Sequence, residues 1–153
     1  MAISIRDAEM TDVDDLQRVF RSASLSNEND RGLLLDHPEW LVLASEGIVD
    51  GRTRVAVDAV GAVVGFATVQ VLDGVAELED LFVDPRWMRQ GVGAVLVEDA
   101  AARLCLHHYE TLEVTANPHA MAFYERVGFV AQRVVETEGY PALRMTRPTR
   151  PFG

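Results

Sequence analysis

Across the glycine-bearing stretch Arg89-Gln90-Gly91-Val92-Gly93-Ala94 the apolar period of this chain changes from two to about 3.6 residues. Before it, valine-rich runs cover Thr53 to Val60 and Val63 to Leu72, joined at Gly61-Ala62 in the pattern of a hairpin. Asp73-Gly74 marks a further tight turn, and Ala76 to Val83 is the next strand, closed by Asp84-Pro85. After it, Val92, Val95, Leu96, Ala100 and Leu104 make one apolar stripe, which predicts a helix to about His107. A strand that runs through a glycine loop straight into a helix restricts the fold to the α/β class.

The flanks extend the pattern. Ile3 and Ile5 alternate with polar neighbours as a first strand, and Thr11 with Asp14 has the form of a helix cap. Val13, Leu16, Val19 and Phe20 then predict a helix to about Ser22. Residues 24–30 are polar and turn-rich, and Leu33 to Leu43 reads as one or two helical pieces broken at Pro38. Thr111 to Thr115 is a strand, His119 to Val127 a short helix, Phe129 to Val135 a strand, and Leu143 to Thr146 the last strand. The predicted order is β-α-α-β-β-β-α-β-α-β-β. With 153 residues, no repeat and no linker, residues 1–146 are expected to form one domain, and 147–153 an exposed tail.

Composition excludes several classes of function. A net charge of -10 disfavours nucleic acid, whose phosphates need a basic face; it would attract cationic partners, or serves only to keep the protein soluble. All 14 basic residues are arginine. Val55 to Val71 is broken by Asp58, Gly61 and Gly65, so no segment is expected to span a membrane. The N-terminus has no apolar core after a basic start, so a cytoplasmic protein without a secretory signal is expected. Cys105, alone and between two leucines, fits a packed thiol. His107 and His108 fall at a predicted helix end, where imidazolium favours the dipole, and no third ligand suggests a metal.

The strand-loop-helix carries the chemistry. Unpaired N–H groups and the positive dipole end make a helix start an anion site, and Gly91 and Gly93 let a phosphate approach the backbone. Arg86 and Arg89 add charge beside it. Gly-X-Gly alone is equally a turn that tightens helix entry. Neither the complete dinucleotide fingerprint nor a P-loop is present.

In context, Leu78-Glu79-Asp80-Leu81-Phe82-Val83-Asp84-Pro85 followed by Met88-Arg89-Gln90-Gly91-Val92-Gly93 resembles the GNAT superfamily of acetyltransferases. There, a loop of the form Gln/Arg-X-X-Gly-X-Gly/Ala binds the pyrophosphate of coenzyme A through its backbone. Met88 departs from the first position of that pattern. A second segment, Asn117 to Phe129, resembles the family's Asn-X-X-Ala-X-X-Phe-Tyr-X-X-X-Gly-Phe at every fixed position. Asn117 can cap its helix, Ala120, Phe123, Tyr124 and Val127 share a face, and Gly128 suits a left-handed helix end.

The resemblance implies a mixed, mostly antiparallel central sheet flanked by helices, and acetyl-CoA as cofactor. It implies acetyl transfer to a primary amine by direct attack within a ternary complex. Its implied cofactor contacts are Leu81, Phe82, Val83, Met88, Arg89, Gln90, Gly91, Val92, Gly93, Ala94, Asn117 and Tyr124. Backbone N–H near Leu81 to Val83 would meet the thioester oxygen, and Tyr124 would donate a proton to the leaving thiolate or else only pack beside it. Strand alternation puts Glu77, Glu79 and Leu81 on one face, making either glutamate a candidate base or a partner for the acceptor's charge. The acceptor, a small-molecule amine or a peptide, would be gripped by Arg21 to Trp40 and Thr137 to Tyr140, where Glu28, Asp30, Asp36 and Glu39 suit a cation. A non-catalytic acyl-CoA-binding sensor or regulatory module, transfer of a longer acyl group, and a homodimer are the alternatives left open.

Overall fold

The computed structural model describes residues 2–137 and 140–151. The strands are β1 (Ser4–Asp7), β2 (Thr53–Val57), β3 (Val63–Leu72), β4 (Val75–Val83), β5 (Thr111–Ala116), β6 (Val130–Thr137) and β7 (Tyr140–Pro148). The helices are α1 (Val13–Leu25), α2 (Glu28–Asp36), α3 (Glu46–Val49), α4 (Val92–Leu106) and α5 (Met121–Arg126). The seven strands lie in the order β1-β2-β3-β4-β5-β7-β6, with β4 and β5 parallel and β1–β2, β2–β3, β5–β7 and β6–β7 antiparallel. This is the mixed, mostly antiparallel sheet flanked by helices that the sequence implies. By contacts the chain forms two compact units, residues 1–68 with 80–96 and residues 69–79 with 97–153. Among the described residues no helix is long and apolar enough to cross a membrane.

In the first unit Leu16 and Val19 of α1 bury against Val55, Val57, Val63 and Phe66, with Phe20 and Phe82 packed on that cluster. The Phe82 ring meets Phe20 edge-on at 4.8 Å, so its side chain is committed to the core and only its backbone can serve a ligand. Several boundaries differ from expectation for local reasons. Strand β2 stops at Val57 because Asp58 turns the chain, its Oδ1 accepting from the N–H of Val60 and Ala62 while Gly61 takes φ 86°. Helix α1 continues to Leu25, and the turn-like residues 24–30 instead supply the start of α2, where Glu28 and Asp30 suit the positive dipole end. The cap before α1 is Glu9 with Asp12 rather than Thr11 with Asp14, since residues 10–12 form a 3-10 turn. Asp73 (φ 52°) and Gly74 (φ 79°) make the tight turn between β3 and β4.

At the end of β4, Asp84 is almost fully buried and still charged. Its carboxylate accepts from Arg86 Nη2 at 2.8 Å, Nε at 3.2 Å and backbone N–H at 3.0 Å, and from Arg18 Nη1 of α1 at 3.0 Å. Its own N–H donates to Val64 O at 2.8 Å. These bonds fix where the strand stops and where the following loop begins.

In the second unit Leu112, Val114, Ala116 and Met145 are buried. Along α4, Leu104 of this unit and Leu96 of the first are buried, whereas Val95, expected in the same stripe, is 41% exposed. The expected exposed tail is corrected at its first residues. Strand β7 runs to Pro148, Arg147 is 1% exposed, and Thr149 is buried, its N–H donating to Glu110 O and its hydroxyl to Tyr109 O. Arg147 donates to Glu98 on α4 at 2.9 Å, to Val127 O at 2.9 Å and to Pro148 O at 3.0 Å. A guanidinium joins the interior because these acceptors replace its water. Phe152 and Gly153 lie outside the described residues.

Two outcomes test these anchors. Arg147→Ala should lower unfolding stability by about 3 kcal/mol in urea, from a lost buried side chain and unsatisfied acceptors; an unchanged midpoint would place Arg147 outside the fold's essential contacts. For Asp84, hydrogen bonds from Arg86, opposed by burial and assisted by the Arg86 N–H and Arg18, hold the carboxyl well below the usual range, at about 2. A depressed folded-state value stabilises the fold above the unfolded value of about 4, and that contribution disappears as pH falls toward 2. Wild type should therefore lose about 2 kcal/mol between pH 5 and pH 2 that Asp84→Asn does not lose. Parallel pH dependence in the two proteins would refute this assignment.

Candidate functional site

The loop expected to carry the chemistry leaves Asp84 through a 3-10 turn, Pro85–Trp87, and enters α4 at Val92. Arg89 (φ 64°) and Gly91 (φ 85°) both occupy the left-handed region, bending the chain into the helix axis. A Cβ built on Gly91 would meet nothing within 4 Å, so the space above this backbone is open. The first N–H with an acceptor in the helix is that of Val95, bonded to Gly91 O at 3.0 Å. The N–H groups of Val92, Gly93 and Ala94 therefore end the helix without intrahelical partners, at its positive pole. Such a cradle fits a phosphate or pyrophosphate by its donors, its charge and its open approach.

The two arginines beside it divide. Arg86 binds Asp84, and that pairing pushes its pKa up. Arg89 is exposed and makes no ion pair among the described residues. Met88 and Gln90 are also exposed, with Gln90 Nε2 donating to Arg86 O at 3.2 Å.

The second segment lies in the second unit. Asn117 sits at the N-cap of the 3-10 turn Pro118–Ala120, but its side chain makes no capping bond. Tyr124 is on α5, which Gly128 (φ 98°) closes: Phe129 N–H returns to Tyr124 O at 2.9 Å and Gly128 N–H to Glu125 O at 3.1 Å. This closure presents buried Phe129 to the Tyr124 ring, edge-on at 5.3 Å, and Phe123 meets the ring from another side at 5.2 Å. Burial pushes the phenol up to about 12, and its hydroxyl makes no hydrogen bond among the described residues. Tyr124 is thus a fixed ring carrying a proton throughout the neutral range.

Glu77 and Glu79 stand on β4, Glu77 half-buried and Glu79 exposed. Strand β4 meets β5 with Glu77 opposite Glu113, and Arg144 of β7 bridges both. Arg144 Nη1 donates to Glu77 at 2.7 Å and to Thr115 at 2.9 Å, and its Nε to Glu113 at 2.9 Å. Burial opposes the Arg144 charge, but the bonds to Glu77 and Glu113 outweigh it and push its pKa up. A hollow of about 380 Å³ opens on this face, lined by Gln70, Asp73, Glu77, Glu113, Arg133 and Arg144. The sequence reading missed Glu113, Arg133 and Arg144, because their grouping depends on strand register across 67 positions.

Of the segments expected to grip an acceptor, Glu39 is engaged by His37 at 3.1 Å, and Trp40 stacks on that imidazole at 4.1 Å. Glu138 and Gly139 lie outside the described residues. Cys105 is half-buried, and no group of three His, Cys, Asp or Glu among the described residues could hold a metal.

Comparison with known proteins agrees with this architecture. Residues 43–147 match the family described as "Acetyltransferase (GNAT) domain". No curated protein matches the sequence. Among solved structures, the chain resembles the PaiA N-acetyltransferase of Thermoplasma acidophilum in complex with coenzyme A. Identity is 20%, with 97% of this chain and 99% of that one covered, at a TM-score of 0.72. It also resembles the ribosomal-protein-S18-alanine N-acetyltransferase of Escherichia coli, at 23% identity, 99% and 97% coverage and a TM-score of 0.71. A third similar fold is a phosphinothricin acetyltransferase from Sinorhizobium meliloti in complex with AcCoA, at 20% identity, 97% and 89% coverage and a TM-score of 0.73. These likenesses are of fold, while the family match covers most of the chain. The chain belongs to the GNAT acetyltransferase family and is an acyltransferase.

Proposed function

We propose that the protein transfers an acetyl group from acetyl-CoA to a primary amine by direct attack within a ternary complex. The observation that carries this reading is the open cradle at the start of α4, with Gly91 at φ 85° and free space above it. The two similar structures that contain coenzyme A or AcCoA support the choice of cofactor. Backbone N–H groups of Val92, Gly93 and Ala94 would hold the pyrophosphate, with the exposed Arg89 beside them and Met88 and Gln90 completing the loop. Asn117 would bond the cofactor's arm, and the backbone of Leu81, Phe82 and Val83 would meet the thioester oxygen. Acetyl-CoA supplies an activated thioester carbonyl.

This chain's residues then manage protons. The acceptor must lose one before its nitrogen attacks, and the sulfur that departs is helped by gaining one. Tyr124 Oη carries that second proton. Glu77, paired with Arg144 at 2.7 Å, and Glu79 are the two candidate bases that would take the acceptor's proton, directly or through water.

Two measurements test the reading. Gly91 is a poor probe of the cradle, since any side chain at its positive φ adds strain of about 1–2 kcal/mol. Gly93 lies inside α4, so Gly93→Glu should fold normally yet weaken acetyl-CoA binding by roughly 100-fold in calorimetry, through like-charge repulsion at the phosphates. Absence of wild-type binding, or equal binding by Gly93→Glu, would remove the cofactor assignment. Tyr124→Phe should lower kcat by about 100-fold with acetyl-CoA KM nearly unchanged. Because the phenol ionises only near 12, the wild-type rate should show no fall attributable to it up to about pH 10. Full kcat in Tyr124→Phe would leave the ring a packing role alone.

A further inference from the structure

The hollow on the second unit bears charges of both signs in an uneven arrangement. Arg133 of β6 and Arg144 of β7 are register partners, so their side chains leave the same face about 5 Å apart at Cβ. Like charges placed so are unfavourable unless each finds a counter-charge. Arg144 has Glu77 and Glu113, whereas exposed Arg133 makes no ion pair among the described residues. The bonds of Arg144 use Nε and Nη1, leaving the Nη2 donors uncommitted among the described residues. Asp73, at the β3–β4 turn, likewise has no partner among the described residues. Three carboxylates against two guanidiniums leave the lining one negative charge in excess.

A simple anion would meet this excess as repulsion, and a simple cation would leave the two guanidiniums side by side. A molecule with both signs answers both. Its carboxylate can take the planar donors of Arg133 and Arg144 Nη2, a geometry suited to guanidinium. Its ammonium is drawn by the surplus carboxylate charge. A cavity of about 380 Å³ suits a ligand of amino-acid size.

We infer that this hollow selects an acceptor carrying a carboxylate as well as the reacting amine, either a free amino acid or a peptide amine next to an acidic side chain. The inference rests on the acetyl-transfer reading for its consequence, because Glu79 lies two residues along β4 from Glu77, about 7 Å, on the same face. An acceptor held by its carboxylate at Arg133 then directs its amine along β4 toward Glu79, one of the two candidate bases. Arg133 is a specificity residue in this scheme, and Asp73, Glu77 and Glu113 set the sign of the site.

The test is direct binding by the full chain, followed by thiol release. L-amino acids and their carboxamides are titrated by calorimetry into wild type and Arg133→Gln, beside the peptide amides Ala-Glu-Ala-Ala and Ala-Gln-Ala-Ala. Arg133 is exposed on a strand at the sheet edge, so the variant should fold as wild type does. At least one carboxylate-bearing ligand should bind roughly 10- to 100-fold more tightly than its amide, and Arg133→Gln should abolish the difference. Preference for free amino acids or for the glutamate peptide would tell which source supplies the carboxylate. Equal binding of every acid and amide, or a preference that survives in Arg133→Gln, would overturn the inference. Thiol release with amides as good as acids would overturn it while leaving acetyl transfer intact. Carboxylate-dependent binding without thiol release from any amine would uphold the site and overturn the transfer reading.

Discussion

A carboxylate removed from water remains ionised only where donors replace its hydration, and Asp84 receives hydrogen bonds from both Arg18 and Arg86. That arrangement ties helix α1 to the end of β4, while the Asp84 N–H pins the same point to β3. Pro85 then removes the donor that would continue the strand, and the chain turns. The open cradle at Gly91 is useful only because its approach is fixed at this residue. The same bonds divide the labour of the neighbouring cations. Arg86 is held by Asp84, which leaves Arg89 as the loop's uncommitted charge.

What could be read from the sequence and what could not separate along a physical line. Features that depend on one residue's backbone preference were legible. Gly91 and Gly128 adopt positive φ where the sequence places a helix entry and a helix end, and Asp73-Gly74 makes the expected tight turn. Features that depend on partners distant in sequence were not. Asp84 read as a strand terminator, because nothing local shows that Arg18, 66 positions away, would reach it. Arg147 read as the first residue of an exposed tail, since an arginine before Pro148 carries no sign that Glu98 and Val127 would receive it. Polar residues 24–30 were ambiguous for another reason: the residue types that make turns also start helices, and only the packing of α1 and α2 decides between them.

The two glutamates of β4 show how register changes chemistry. Strand alternation alone makes Glu77 and Glu79 equivalent, two carboxylates on one face. Pairing of β4 with β5 and of β5 with β7 places Glu113 and Arg144 around Glu77, a charged group that alternation does not reveal. The geometry thus makes Glu77 part of the charged lining of the hollow.

Tyr124 poses the sharper energetic question. A phenol at about 12 is a weak acid beside a thiol, whose ordinary value is about 8.5, so full transfer of its proton to a thiolate with that value is uphill by about 5 kcal/mol. The same burial that raises the phenol would raise a thiolate beside it, because desolvation penalises both anions. What decides the role is therefore the difference between the two groups in one environment. A ring clamped edge-on by Phe123 and Phe129 cannot lower its own cost by rotating toward water. In the proposed reaction its contribution would be an intact O–H donor, ready to bond negative charge as it forms on sulfur. Proton transfer would then complete only as far as that charge, stripped of its own water, became the stronger base.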